Sequence, residues 1–494
     1  MRLDELLRRQ ANNGAVAIKH GDKTLSYSDW NERSLELSKN LESVLASDSL
    51  NIAIFLPNSI DYAIAYFSIL YSTRIIVPIG TQSKGLEITS TLEYCEIDII
   101  ITNLQYRDFL KDCLSNYMYR VSLCFLEDQN SEIMNEDKPF IPKSNTIENI
   151  GGKDDVAIML HTSGTTSNPK RVMLTHDNLL NNVESNTQSL QLTEKDKVLI
   201  SMPMYFGYCN TAQFLTHLYL GASMVILDGM FLPKLFFQTV QNEKITNFTG
   251  VPSMLLMLLE YRYIDKYDIS SLRYISFGGG NMPVEKLKAL IEKFNTVGFV
   301  QTYGQTEASP RTTALLPSDS LKKIGSVGLP IPNVKVKIVD VNYNDLFANE
   351  IGEIAIQGKN IMKGYYKQET ITKETIINGW LHTGDLGYLD VDGYLYLTGR
   401  KRNMIISGGI NIYPEEIEEV LMQHPNIQDV YILPEEHKLL GEVPIAKVVL
   451  RNNVNGIVDF RNFCSEKLTD YKIPIRFDIV DELSKTYNGK IKRY

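Results

Sequence analysis

Leu160-His-Thr-Ser-Gly-Thr-Thr-Ser-Asn-Pro-Lys-Arg-Val-Met-Leu-Thr-His176 is the stretch on which the reading of this chain turns. An apolar run, Val156 to Leu160, precedes it with the character of a buried strand. Thr175 can cap a helix whose apolar positions are Leu179, Leu180 and Val183. Between strand and helix stand the hydroxyl residues Thr162, Ser163, Thr165 and Thr166, together with Gly164 and Lys170. Hydroxyls, exposed backbone N–H groups and a lysine charge are what a phosphate chain needs. On composition alone an ordinary polar turn is the better reading. A Walker loop is excluded, because no second Gly stands directly before a Lys-Ser or Lys-Thr pair.

Composition bounds the rest. A chain of 494 residues exceeds one compact unit and implies two or three domains. With 44% hydrophobic and 22% charged residues it reads as an ordinary soluble globular protein. The formal charge, 50 minus 59 or −9, gives no support for nucleic-acid or anionic-membrane binding, while a locally basic pocket stays open. Met1 to Gln10 lacks the apolar core of a signal peptide. The most apolar stretches, such as Ala63–Leu70, fall far short of the ~20 residues that span a bilayer. Five scattered cysteines (Cys95, Cys113, Cys124, Cys209, Cys464) lack metal or disulfide spacing and fit reduced thiols in the cytoplasm.

Short apolar runs alternate with helix-period segments on both sides of the opening stretch. Before it, strands are expected at Ile52–Leu56, Ile75–Ile79, Ile97–Ile101 and Val121–Leu126, with helices at Asp61–Tyr71 and Leu86–Tyr94 between them. After it come strand candidates at Val198–Ile200, Met224–Leu227, Thr246–Thr249, Tyr274–Phe277 and Val297–Gln301. Such alternation predicts parallel α/β sheets. Glu127 to Lys153 is polar and reads as a surface connection. From about 325 to 398 helices vanish, and short strands separated by Gly, Asn and Asp predict a small barrel or sheet. Beyond the charged break at 400–403, a compact α+β unit runs to Tyr494, its helix starting at Pro414.

The order of the motifs carries more than any one of them. Ser163-Gly164-Thr165-Thr166 with Pro169-Lys170 resembles the phosphate loop of the adenylate-forming superfamily of acyl- and aryl-CoA ligases, peptide-synthetase adenylation domains and luciferases. Ser167 and Arg171 stand where that family usually has Gly. Gln301-Thr302-Tyr303-Gly304-Gln305-Thr306-Glu307 is similar to its Tyr-Gly-x-Thr-Glu motif, in which the Tyr packs on adenine and the Glu holds Mg²⁺. Thr306 and Glu307 are thereby catalytic candidates. Gly278-Gly279-Gly280 resembles the backbone that lies flat against the adenine. Asp385, in Trp380-Leu381-His382-Thr383-Gly384-Asp385, and Arg400 resemble the ribose-binding pair, and Arg402 falls at the family's hinge, where Asp or Lys is usual. Ser407-Gly408-Gly409 through Glu418 resembles the CoA-ligase version of its motif, with Gly408 and Gly409 lining a pantetheine tunnel. Lys490, in Ser484 to Lys490, takes the place of the catalytic lysine.

The resemblance implies an N-terminal ATP- and acid-binding domain at 1–399, with α/β subdomains over about 1–320 and a barrel-like part over about 325–398. A hinge at 400–403 and a mobile α+β C-terminal domain at 404–494 complete it. It implies ATP and Mg²⁺ as cofactors, an acyl-adenylate intermediate, and coenzyme A as acceptor. Counting back from Gly221-Ala222-Ser223 puts Gly207 where amino-acid-activating relatives carry Asp, so an α-amino acid is disfavoured. Tyr205, Phe206, Gly207 and Tyr208 then line the acid pocket and suit an aryl or modest acyl acid. Two alternatives stay open: a stand-alone enzyme loading a separate carrier protein's phosphopantetheine, and a degenerate nucleotide binder. Retention of Glu307, Asp385, Arg400 and Lys490 speaks against the second. The particular acid and the oligomeric state are not legible here.

Overall fold

The computed structural model describes all residues except 46–49, 128–129, 135–140, 142–148, 150, 162–169, 281, 408–409, 438–439, 452–458 and 484–494. Its strands form four sheets. An eight-stranded sheet has a parallel centre built from Asn51–Ile54, Ile75–Pro78, Ile99–Thr102 and Ser122–Glu127. A nine-stranded sheet has Lys197–Ile200, Ser223–Ile226, Asn247–Gly250, Tyr274–Phe277 and Gly298–Gly304 as its parallel run. The expected α/β alternation is therefore present on both sides of the phosphate-loop stretch, with strand ends shifted by a residue or a few.

Period-two alternation sorts these strands between cores. Ile52 and Ile54 face one cluster while Ala53 and Phe55 face another. In the second sheet Val198 and Ile200 join that same first cluster, and Leu199 turns the other way. One core is thus shared by the inner faces of both sheets. Helix Ile60–Tyr71 fills it: every residue but Asp61 is buried, so it is apolar all round rather than amphipathic. Ser59 caps this helix by accepting from the Tyr62 N–H at 3.1 Å.

Three features depart from the sequence reading. The phosphate-loop stretch is not a strand-to-helix turn, because Arg171–Thr175 is itself a strand, antiparallel to Val156–His161 with His161 opposite Arg171. Helix His176–Leu190 starts only after it, on the Thr175–Asn178 capping box. Part of the polar connection, Asn130–Met134, adds an antiparallel edge strand. The region after 325 is a five-stranded antiparallel sheet, yet it is interrupted by helix Glu369–Thr375. From this region Gly364–Tyr365 crosses back to pair with Arg171–Thr175 at the edge of the first sheet. Downstream, Ile405, Ile417, Leu421, Val430, Val448 and Phe460 share a separate small core. Among the described residues no helix is long and apolar enough to cross a membrane.

Candidate active site

Among the predicted site residues, Gly278, Gly279 and Gln301–Glu307 lie at the carboxyl ends of parallel strands, where α/β sheets place ligands, and Asp385 and Arg400 reach them from the antiparallel sheet. Gly298–Gly304 and Arg311–Leu315 form an antiparallel pair, with Gly304 opposite Arg311. Residues 305–310 are thus a hairpin connection carrying Thr306 and Glu307. Gly304 is fixed by sterics, since a Cβ there would fall 1.6 Å from the Pro310 carbonyl oxygen. Gly278 likewise makes room for strand Gly298–Gly304: a Cβ would stand 2.6 Å from the Thr302 carbonyl oxygen and hydroxyl. Gly279, at φ +78°, faces open space.

Asp385 is the electrostatic centre of this face. Buried to 5% exposure, it accepts from the Tyr303 hydroxyl at 2.8 Å and pairs with Arg400 Nε at 2.8 Å. Gly384, at φ +69°, turns the strand so that Thr383 Oγ1 accepts from the Asp385 N–H. Burial, reinforced by the Asp385 carboxylate, pushes the Tyr303 hydroxyl well above its usual range. It therefore stays a neutral donor. Gln301 Oε1 and Gln305 Nε2 are buried without a partner among the described residues, which leaves one acceptor and one donor for a ligand.

A second carboxylate, Glu307, sits on the hairpin turn. Its Oε1 accepts from the Tyr365 hydroxyl at 2.8 Å, and Lys170 Nζ lies 4.7 Å from the centre of the Tyr365 ring. Tyr365 thus joins the last residue of the phosphate-loop motif to the metal-ligand candidate. Sequence reasoning missed it, since it is one tyrosine in Gly364-Tyr365-Tyr366 and its partner is 58 positions away. Burial, and then Glu307, raise its hydroxyl far above the usual range.

The acid-pocket segment lies between the two sheets. Asn58 holds the backbone that leads into it, donating to the Met202 carbonyl at 2.8 Å and accepting from the Met204 N–H at 2.7 Å. Tyr205 packs so close to Gly80 that a Cβ there would be 3.0 Å from its ring, and the Phe206 ring lies tilted by 49° with its centre 4.5 Å from that of Tyr205. A Cβ on Gly207 would meet Leu160 at 3.1 Å and Thr306 at 3.9 Å. Thr302 gives its hydroxyl proton to the Phe277 carbonyl at 3.1 Å, so the Tyr208 hydroxyl donates to Thr302 Oγ1 at 2.7 Å. Asn58 too was illegible in the sequence, with partners 144 and 146 positions away.

Arg171, standing where glycine was expected, is buried and donates from Nη2 to Thr91 Oγ1 at 2.8 Å. It braces the return strand against helix Gly85–Tyr94. Arg402 lies on the short 3₁₀ turn Lys401–Asn403, beyond the cluster. Thr162, Ser163, Gly164, Thr165, Thr166, Gly408, Gly409 and Lys490 lie outside the described residues.

This arrangement sits within a matched framework. Residues 6–366 match the AMP-binding enzyme family, and residues 416–490 match the AMP-binding enzyme C-terminal domain. The chain belongs to the AMP-binding enzymes. A 2-succinylbenzoate–CoA ligase of Bacillus licheniformis is 31% identical over 488 residues, covering 99% of this chain and 97% of that protein. A long-chain-fatty-acid–CoA ligase of Bacillus subtilis is 31% identical over 512 residues, covering 97% of this chain and 90% of the other. The o-succinylbenzoate CoA synthetase of Bacillus subtilis, solved with ATP and magnesium ion, superposes with a TM-score of 0.85 at 29% identity, over 99% and 98% of the two chains. These AMP-binding enzymes are acid–CoA ligases, two of them acting on an aryl acid and one on a fatty acid by name.

Proposed function

We propose that this chain activates a carboxylic acid with ATP to an acyl-adenylate, releasing pyrophosphate, and then transfers the acyl group to the thiol of coenzyme A, releasing AMP. The observation that carries this reading is the Tyr303–Asp385–Arg400 arrangement at one strand end, one turn from Glu307. Asp385 has lone pairs left on both oxygens to accept from two ribose hydroxyls. Arg400 balances its charge and adds a donor.

The chemistry faces an electrostatic obstacle, since the attacking carboxylate and the α-phosphate are both anions. The 163–170 stretch would grip the outer phosphates, with Lys170 as its described end. Glu307 fits a magnesium ion: one oxygen is oriented by Tyr365, and the other takes no hydrogen bond from the described residues. No group of three or more carboxylate, His or Cys side chains stands together among the described residues, as suits an ion that completes its shell with phosphate and water. When bound, magnesium supplies charge neutralisation at the phosphates. Gly207 lies beside Thr306, so the acid's carboxylate meets the nucleotide at that contact. Lys490 would bridge the carboxylate and the α-phosphate.

For the second half, the unit beyond 404 would turn about 400–403 and present Gly408 and Gly409 to the pantetheine arm. Two contacts would have to open. Asn403 Nδ2 donates to Glu415 Oε1 at 3.1 Å, and Gly399 approaches so closely that a Cβ would stand 2.6 Å from Glu415 Oε2. A thiol with a pKa of about 8.5 needs no dedicated base to attack an acyl-adenylate near neutrality.

The test is ATP-dependent pyrophosphate release with a panel of aryl, short-chain and medium-chain acids, with and without CoA. Release driven by one acid and turned over many times with CoA is expected. Release stalling near one equivalent despite CoA would assign the acceptor role to a carrier protein. Silence with every acid would overturn the reading.

A further inference from the structure

Arg311 is the first residue of the strand that leaves the Thr306–Glu307 turn, and its side chain is 98% buried by the 2% exposure it retains. Its Nη1 donates to Asn186 Oδ1 on helix His176–Leu190. Its Nε and Nη2 are buried with no acceptor among the described residues, and no carboxylate pairs with it there. A guanidinium cannot shed its proton to escape this, so a buried fork with two idle donors is costly unless something meets it.

The guanidinium lies over the ring of a residue of the predicted acid pocket. The Arg311 guanidinium carbon is 5.9 Å from the centre of the Tyr208 ring, and Tyr208 adjoins Gly207, which touches Thr306. The next turn, Asn210–Leu215, is a π-helix with all six residues buried, a rare geometry that recurs at functional sites. It leaves Asn210 Nδ2 and Thr211 Oγ1 without partners among the described residues, and Thr312 Oγ1 beside Arg311 is in the same condition. An all-hydrocarbon tail beside Arg311 would leave its two idle donors unmatched. Resting on the proposed acid activation, we infer that the acid is a dicarboxylate: one carboxylate reacts beside Thr306, and the other is held by the Nε/Nη2 fork of Arg311. Arg311 is on this view the specificity-determining residue, since a planar guanidinium and a carboxylate match two bonds to two bonds. The backbone holds it in place, with Asn182 Nδ2 donating to the Arg311 carbonyl at 2.7 Å.

The test compares length-matched pairs, hexanoate with adipate, octanoate with suberate, and benzoate with terephthalate, in pyrophosphate release and in calorimetric binding. Wild type should favour a dicarboxylate over its partner by at least about 10²-fold in kcat/KM, because a site built for a polar group rejects the analogue lacking it. Arg311→Met should erase that preference, lowering kcat/KM for the dicarboxylate far more than for the matched monoacid, and Arg311→Lys should restore part of it. Wild-type preference for monoacids, or equal loss of both classes in a folded Arg311→Met, would overturn the inference. The wild-type comparison decides even if the variant fails to fold. Should no acid be turned over, calorimetry separates the two claims. A dicarboxylate bound by wild type and lost in Arg311→Met leaves this inference standing while acid activation falls; no dicarboxylate binding sinks both.

Discussion

The proposed nucleotide side and the proposed acid side of the cleft treat their charges differently. On the nucleotide side each anion already has a protein partner: Asp385 holds Tyr303 and Arg400, and Glu307 holds Tyr365. On the acid side Arg311 is buried beside Tyr208 with only part of its fork engaged. A ligand shared by a whole family can be met by a site whose charges are already paired, with only neutral groups such as Gln301 Oε1 and Gln305 Nε2 left open. A ligand that differs between members is met by groups left unsatisfied until the right one arrives.

The contrast breaks most sharply at Lys490. If the nucleotide side lacks only a cation delivered late in the chain, Lys490→Ala should lower adenylation by about 10²-fold or more. Thioester formation from supplied acyl-adenylate should survive, and equal loss of both half-reactions would refute that division. Next comes Asp385→Ala, which leaves Arg400 and Tyr303 without their shared acceptor. Loss of charge-assisted hydrogen bonds of about 1.5–3 kcal/mol should raise the KM for ATP by roughly 10- to 100-fold, with the KM for the acid little changed. Tyr365→Phe is the finer probe of the same side. Freed from its orienting hydroxyl, Glu307 should bind magnesium about tenfold more weakly, read as the metal concentration for half-maximal pyrophosphate release. An unchanged metal requirement would reduce Tyr365 to packing.

The smallest effect tests a buried group that is fully matched, on the helix Thr216–Leu220 that follows the π-helix. His217 donates from Nδ1 to the Gln213 carbonyl at 2.7 Å, and its Nε2 accepts from Asn247 Nδ2 at 3.1 Å, so the neutral ring is fully matched. Burial holds its pKa down at about 4. The unfolded chain, with an ordinary His value near 6.5, takes up the proton first, so stability is full above that pH and falls as pH drops toward 4. This ring alone should remove about 1 kcal/mol between pH 7.5 and 6, seen as a drop in urea midpoint that flattens in His217→Asn. No flattening would mean that the ring is not held neutral.

Much of the nucleotide side was legible because its residues sit in short, ordered motifs: Tyr303 to Glu307, Asp385 and Arg400 were each placed from the sequence and lie together. Tyr365, Asn58 and Arg311 escaped it. Each is a single residue whose meaning depends on a partner far along the chain, and no periodicity marks such pairs. Strand Arg171–Thr175 was hidden for a local reason. Its five residues give too short an alternation to register, and Thr175 advertises a helix start that is genuine but one element later. Arg171 likewise reads as a lapse from a glycine pattern until its burial against Thr91 gives it a packing role.

The small edge strand Gly364–Tyr365 has a consequence for how this chain can change length. Between leaving the phosphate-loop sheet and returning to lay Tyr365 against Glu307, the chain builds seven strands of the nine-stranded sheet and then the antiparallel pair Val334–Val339 and Gly352–Gly358. The outer turn of that last pair lies away from the reactive centre and can be lengthened or trimmed while the two strands stay paired. Its tip, where Val341 and Phe347 are 82% and 83% exposed, is accordingly the place to graft a reporter or tether while leaving turnover intact.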